Sequence, residues 1–193
     1  MYALDLALIP PIEVIERAIS ISAGLESSKI KLNKFNMIPH ISLSMAAIDL
    51  NRSYKVLDKL EDLASKTKEL KVTIQGNYQA EVLSKPVCGW AIVHNDDLLE
   101  LHEKAHKLLR AYHDDDFGLD AFAEADLVLP ISKSIVEDYD LKYATSNYQA
   151  HLTLGFGQYN QQEEFSFMVN NMSLYQLGNF CTCNKLISRF GLC

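Results

Sequence analysis

The sequence predicts a single α+β domain. Three observations carry that reading: β-rich apolar runs interleave with runs of helical period, no glycine- or proline-rich linker divides the 193 residues, and 48% apolar residues is an ordinary content for one core. Leu4 to Ile9 reads as a short buried strand. Pro10-Pro11 then sits where proline is tolerated, at the entrance of a helix running through Ile12, Ile15, Ile19 and Ile21. Lys29 to Asn36 is a polar, basic loop. Ile38 to Ile48 is a strand, after which Asp49 caps a helix with Tyr54, Leu57, Leu60 and Leu63 at helical spacing. Val72 to Leu83 and Val87 to Val93 are two further strands, separated by a Ser84-Lys85-Pro86 turn.

Asp96-Asp97 places negative charge at the start of another helix, whose apolar face is Leu98, Leu101, Ala105, Leu108 and Tyr112. That helix ends in Asp114-Asp115-Asp116. From there to about Tyr148 the pattern weakens, with an apolar run at Leu127 to Ile131 and a helical turn near Ile135, and the segment reads as a mobile lid over a site. Gln149 to Phe156, Phe165 to Tyr175 and Phe180 to Phe190 read as strands.

A net charge of −7 and a pI near 5.3 argue against an extended nucleic-acid duplex as partner, because duplex binding rests on many Lys and Arg neutralising phosphates. A small anionic ligand needs only a few local donors. Tyr2 to Ile9 carries Asp5, lacks a basic leader and stops at Pro10-Pro11, unlike a signal peptide, and no apolar run has the length of a membrane span. Cys88, Cys181, Cys183 and Cys193 form no CxxC pair and read as free thiols of a reducing cytosol; Cys181 and Cys183, flanking Thr182, read as packing residues rather than metal ligands. A cytoplasmic, monomeric protein with no membrane partner is expected.

One internal echo points to chemistry. Asn36-Met-Ile-Pro-His40-Ile-Ser42-Leu-Ser-Met45 aligns without gaps on Asn147-Tyr-Gln-Ala-His151-Leu-Thr153-Leu-Gly-Phe156. Each frame has Asn four residues before His, an aliphatic residue after it, a hydroxyl residue at His+2 and Leu at His+3. On a strand, His40 and Ser42 share one face while Ile41 and Leu43 turn to the core, and His151 and Thr153 repeat that geometry. Two imidazoles of ordinary pKa ~6.5 supply a base and an acid near neutral pH, and two hydroxyls supply donors for phosphate oxygens. Gly155 would leave room for a ligand, and Phe156 or Tyr148 could stack on a base.

These residues resemble the 2H phosphoesterase superfamily, which includes the so-called 2′-5′ RNA ligases and cyclic nucleotide phosphodiesterases. Its pattern is two His-x-Thr/Ser motifs, each amid aliphatic residues on a strand, roughly a hundred residues apart; here the histidines are 111 apart. The resemblance implies a bilobal, duplicated fold with two antiparallel sheets lining a central cleft and helices outside. It also implies no metal or cofactor, and action on 2′,3′-cyclic phosphates or 2′-5′ linkages of a small nucleotide or RNA end. Carried over, His40 and His151 are the catalytic pair, and Ser42 and Thr153 the phosphate-binding hydroxyls.

Two other readings compete. His102-Glu103-Lys104-Ala105-His106 matches HExxH, a zinc-hydrolase pattern, with Glu124 a conceivable third ligand; the metzincin continuation fails at Leu109 and Tyr112, and the stripe Leu101, Ala105, Leu108 leaves both histidines at the border with solvent. The same cleft could also hold a nucleotide without turning it over, as a sensor. Asp116-Phe117-Gly118 is a turn, with no other kinase motif beside it. Lys34, Lys133, Lys142 and Arg189 are candidates for local positive charge, and His94 and His113 carry only structural readings.

Overall fold

A computed structural model describes residues 1–25 and 30–193. Of the basic loop expected at Lys29 to Asn36, Lys29 lies outside the described residues; the rest is irregular chain. Among the described residues the chain runs β1 (Tyr2–Leu8), α1 (Ile12–Gly24), β2 (Ile41–Ile48), α2 (Lys55–Ser65), β3 (Leu70–Val82), β4 (Lys85–Ile92), α3 (Asp96–Arg110), α4 (Pro130–Glu137), α5 (Tyr139–Lys142), β5 (His151–Phe156), β6 (Glu164–Val169), β7 (Asn171–Leu177) and β8 (Cys183–Gly191). Two four-stranded sheets result, ordered β2-β1-β7-β8 and β5-β4-β3-β6, with every pairing antiparallel. The expected duplication is visible as β1-α1-β2 in one lobe and β4-α3-β5 in the other. In each, a strand, a helix and an antiparallel edge strand carry the motif.

The local chemistry explains each unit. Pro11 stands just before α1, where its missing N–H is one the helix leaves unpaired anyway, and Val14, Ile15, Ala18 and Ser22 form the buried face. Lys31 closes the other end by donating to the carbonyls of Ser22, Ala23 and Leu25. Asn95 caps α3, its side-chain oxygen accepting the Leu98 N–H at 2.9 Å, while Asp96 and Asp97 complement the helix dipole. The turn between β3 and β4 is Leu83-Ser84, one residue earlier than expected, with both residues left-handed (φ 52° and 56°) as a two-residue hairpin of right-handed twist demands.

The principal core lies between sheets and helices and takes Leu4, Leu6 and Leu8 from β1, Leu60 from α2, Trp90 from β4 and Leu101 and Leu109 from α3, all buried. A second cluster involves the segment after α3. Phe117, Ala121, Phe122, Val128 and Val136 pack on Ala3, Ala47 and Leu177 of the first sheet. Hydrogen bonds from Gln176 Nε2 to the Ala121 carbonyl and from the Ala123 N–H to the Leu177 carbonyl fasten it further. The stretch expected as a lid is therefore a packed wall with its own core.

The run Phe165 to Tyr175, which reads as one strand, is divided at Asn170. Its first half pairs with β3 in one sheet and its second half with β1 in the other, so this run carries the chain between lobes. Among the described residues no helix is long and apolar enough to cross a membrane.

Candidate active site

Both motif strands are edge strands, β2 in one sheet and β5 in the other, and they pack against each other. Each is bulged at the same place. The β1–β2 ladder pairs Ala7 with Ser42 and then Leu6 with Ser44, leaving Leu43 as the extra residue; the β4–β5 ladder pairs Gly89 with Thr153 and then Cys88 with Gly155, leaving Leu154. Leu43 and Leu154 are both His+3. A bulge bends its strand and re-aims the neighbouring side chains, here the hydroxyl residue before it. The second bulge depends on Gly89, where an added Cβ would lie 2.4 Å from the Leu152 carbonyl oxygen.

The histidines are held by one device. His40 Nδ1 donates to the Ile38 carbonyl at 2.7 Å, and His151 Nδ1 donates to the Gln149 carbonyl at 2.7 Å. A carbonyl can only accept, so Nδ1 carries the proton in each neutral ring and Nε2 presents its lone pair. Both rings, with Ser42 and Thr153, line one cleft of about 550 Å³. His40 lies with Nε2 3.5 Å from Oδ2 of Asp5, a carboxyl with no exposed surface, and Ser42 Oγ donates to that same oxygen at 2.7 Å. His151 instead stacks on the ring of Tyr78, centroids 3.8 Å apart and planes within 8°.

Burial sets the protonation. Removal from water pushes the Asp5 carboxyl up to about 8, against which the Ser42 and Cys183 hydrogen bonds pull only partly. Burial also lowers His40 to about 4, with the neighbouring His151 adding to the effect, and lowers His151 as well. At neutral pH the motif residues and Asp5 therefore present a protonated carboxyl and two neutral imidazoles, so burial has removed the anionic charge beside His40.

No family model and no curated protein matches the chain by sequence. Solved structures do match over nearly its whole length. TT0787 of Thermus thermophilus aligns at 14% identity over 98% of this chain and 97% of its own, with a TM-score of 0.60. A protein described as a phosphoesterase aligns at 16% identity over 100% and 99%, TM-score 0.58. E. coli LigT in its complex with NADP+ aligns at 14% identity over 99% and 97%, TM-score 0.56.

The chain has the LigT fold. Within it the HEKAH helix is scaffolding rather than a metal centre. His102 and His106 are 1% and 7% exposed, not at the solvent border, because the helix turns a wider face inward than its aliphatic stripe suggests. Their nitrogens are engaged: His102 Nδ1 donates to the Leu43 carbonyl and Nε2 accepts the Thr145 N–H, while His106 Nδ1 lies 3.2 Å from Ser44 Oγ and Nε2 2.8 Å from Asp140. The Leu43 carbonyl at the bulge also accepts from Tyr139 Oη, and the Ser42 carbonyl accepts from Tyr148 Oη at 2.8 Å. Motif one of this LigT-fold cleft is thus tied through α3 to the segment that leads into motif two. His94 Nε2 accepts the Ala150 N–H and His113 Nδ1 accepts the Ala47 N–H, so four of the six histidines are clamps on backbone or neighbours.

Three expectations need correction. Tyr148 lines the cleft, but its ring faces are taken within the protein: it is buried, stacked on His102 at 3.7 Å and near-parallel to His94 at 5.6 Å. Gly155 makes room for the end of α1 rather than for ligand, since a Cβ there (φ +149°) would lie 3.0 Å from Leu25 Cδ1. Phe156 does line the cleft, but it is buried and packs edge-on to Phe180 at 5.0 Å. Among the candidate cations, Lys142 lines the cleft, where its ion pair with Asp138 raises its pKa, whereas Lys34 pairs with Glu16 and Lys133 with Glu137. Sequence reasoning missed Asp5, Tyr78, Tyr139 and Cys183. The contacts that bring them to the motif strands or to β1 are all long-range, Asp5 to His40 and Ser42, Tyr78 to His151, Tyr139 to Leu43 and Cys183 to Asp5, and each reads as one more position on a strand or short helix; the one available signal was a carboxylate in an otherwise apolar β1.

Proposed function

We propose that the chain is a metal-independent phosphodiesterase of the 2H type, acting on 2′,3′-cyclic phosphate or 2′-5′ bonds of a nucleotide or RNA end. The observation that carries it is the convergence of two His-x-Ser/Thr motifs, equally bulged and equally tautomer-locked, on one cleft. One Nε2 takes the proton of the attacking water or ribose hydroxyl, and the other, protonated, gives its proton to the leaving ribose oxygen as the P–O bond breaks. Both rings are neutral before substrate arrives. The phosphodiester anion itself then supplies the negative charge that lets one of them take up a proton from solvent. Thr153 and Ser42 donate to the non-bridging oxygens, Ser42 exchanging Asp5 for phosphate as acceptor. E. coli LigT, whose fold this chain shares, has been crystallised with 3′-AMP, a phosphomonoester of the kind this reaction releases, and with phosphate, which carries the same non-bridging oxygens.

Turnover of 2′,3′-cyclic mononucleotides and 2′-5′-linked adenylates by wild type, His40→Ala and His151→Ala, each with and without EDTA, tests the reading. Cleavage that survives chelator and is lost in both variants, with a bell-shaped pH profile, supports it. Tight nucleotide binding with no product replaces it with the sensor role, and cleavage untouched by either substitution removes the histidine pair from the mechanism.

A further inference from the structure

We infer that Asp5, His40 and Cys183 form a binding site for one thiophilic divalent cation of the zinc class at the base of the cleft. This goes beyond the proposed activity, which uses no metal. The three residues come from β1, the approach to β2 and the first position of β8, and each brings one ligating atom to a cluster in which all lie within 4.8 Å of one another. Asp5 Oδ2 is 3.5 Å from His40 Nε2 and 3.8 Å from Cys183 Sγ. Bond lengths of ~2.0–2.2 Å to N and O and ~2.3 Å to S in a tetrahedral zinc site place neighbouring donor atoms roughly 3.3–3.6 Å apart. Two edges of that tetrahedron are therefore already within a few tenths of an ångström.

Three independent features fit the site. Asp5 is fully buried, and its second oxygen, Oδ1, has no hydrogen-bond partner, a costly arrangement for a buried carboxyl that a bound cation, displacing its proton, would offset. Among the described residues neither Lys nor Arg forms an ion pair with it. His40 donates Nδ1–H to a backbone carbonyl, the outer contact that orients a ligating imidazole and leaves Nε2 free to coordinate. His40 and Ser42 line the open cleft, which supplies an approach and a fourth position for water. On binding, the Asp5 carboxyl and the Cys183 thiol each release one proton to solvent, and the cation is held by two anions and one neutral ring.

The consequence for function follows from the shared atom. A cation on His40 Nε2 occupies the lone pair that acid–base catalysis requires, so zinc would inhibit the phosphodiesterase rather than assist it.

The test uses the full chain, stripped with EDTA, freed of chelator and titrated with cobalt(II). One equivalent is expected to bind with a thiolate-to-cobalt charge-transfer band in the near ultraviolet, and one equivalent of zinc is expected to abolish the band. Cys183→Ser should remove the band. Asp5→Asn, almost isosteric, should weaken cobalt binding by more than the roughly 10–100-fold that losing an outer-shell partner costs. Cys193→Ser should retain the band, since that exposed thiol lies elsewhere, on the Ser65 carbonyl. Circular dichroism identifies any variant that fails to fold, and the near-isosteric Asp5→Asn then decides. No band in wild type, or a band that survives in Cys183→Ser and vanishes in Cys193→Ser, overturns the site. The spectrum does not depend on turnover, so a cobalt band in a protein that cleaves no phosphodiester would leave this site standing while the proposed activity fell.

Discussion

His40 and His151 are held identically, each by an Nδ1–H donated over 2.7 Å to the carbonyl two residues earlier, yet their surroundings differ in kind. His40 faces a buried carboxyl and, beyond it, a thiol; His151 lies flat on a phenol ring. The backbone of the motif was duplicated, down to the bulge at His+3, and the environment was not. What repeats is what the proposed chemistry needs twice: a fixed tautomer and a hydroxyl aimed beside it. What diverges lies behind the motif, where nothing requires symmetry and where the two sites can acquire different affinities for a proton or a cation.

The largest effect tests whether the shared backbone gives shared function. His40→Ala and His151→Ala are each expected to lower kcat by about 10²–10⁴-fold, the range for loss of a positioned acid or base, and the double variant to fall little further if the pair acts as a unit. Losses that multiply would break the comparison. The hydroxyls come next. Thr153→Val should cost activity, on the order of 10²-fold if it contacts the transition state, with little change in Tm. Ser42→Ala should cost activity and also about 1–3 kcal/mol of stability, measured by urea unfolding, because it strips Asp5 Oδ2 of its closest donor. Equal stability of the two variants would count against the Asp5 asymmetry.

Smaller effects sharpen the difference. Tyr78→Leu removes the stack under His151 alone. An aromatic contact worth about 0.5–1.5 kcal/mol corresponds to roughly 2–10-fold in kcat/KM, with the response to cobalt at His40 unchanged. The smallest concerns the scaffold between the motifs. His102 is buried as a neutral ring that accepts the Thr145 N–H, so its folded pKa is lowered from 6.5, mainly by burial. Between that lowered value and about 6.5 the unfolded chain binds more protons, so the stability it contributes is complete above about 6.5 and is lost as pH falls below it. His102→Gln should flatten the acid side of a Tm-against-pH curve, and a curve of unchanged slope would remove His102 from that role.

Several features were legible in the chain because they are local. Alternation gave most strands, the stripe through Leu98, Leu101 and Ala105 gave α3, and Asp96-Asp97 marked its start. The His-x-Ser and His-x-Thr frames could be matched residue for residue, and the structure brings both to one cleft. Where reading by period failed, a long-range partner had intervened. Phe165 to Tyr175 is continuous in pattern, but its two halves pair with strands of different sheets. His102 and His106 look like border residues on a helical wheel, yet β2 and the residues near Tyr139 to Tyr148 close over them and satisfy their nitrogens.

By itself, then, the sequence determined the elements, the duplication and the identity of the paired motifs, because periodicity, capping and repeated spacing are properties of neighbouring residues. Only the tertiary structure decided that Asp5 stands behind His40, that Cys183 stands beside Asp5 and that Tyr78 stands under His151. Those contacts join residues 35 to 178 positions apart, and their pKa shifts come from burial in a cleft that exists only after both sheets have formed.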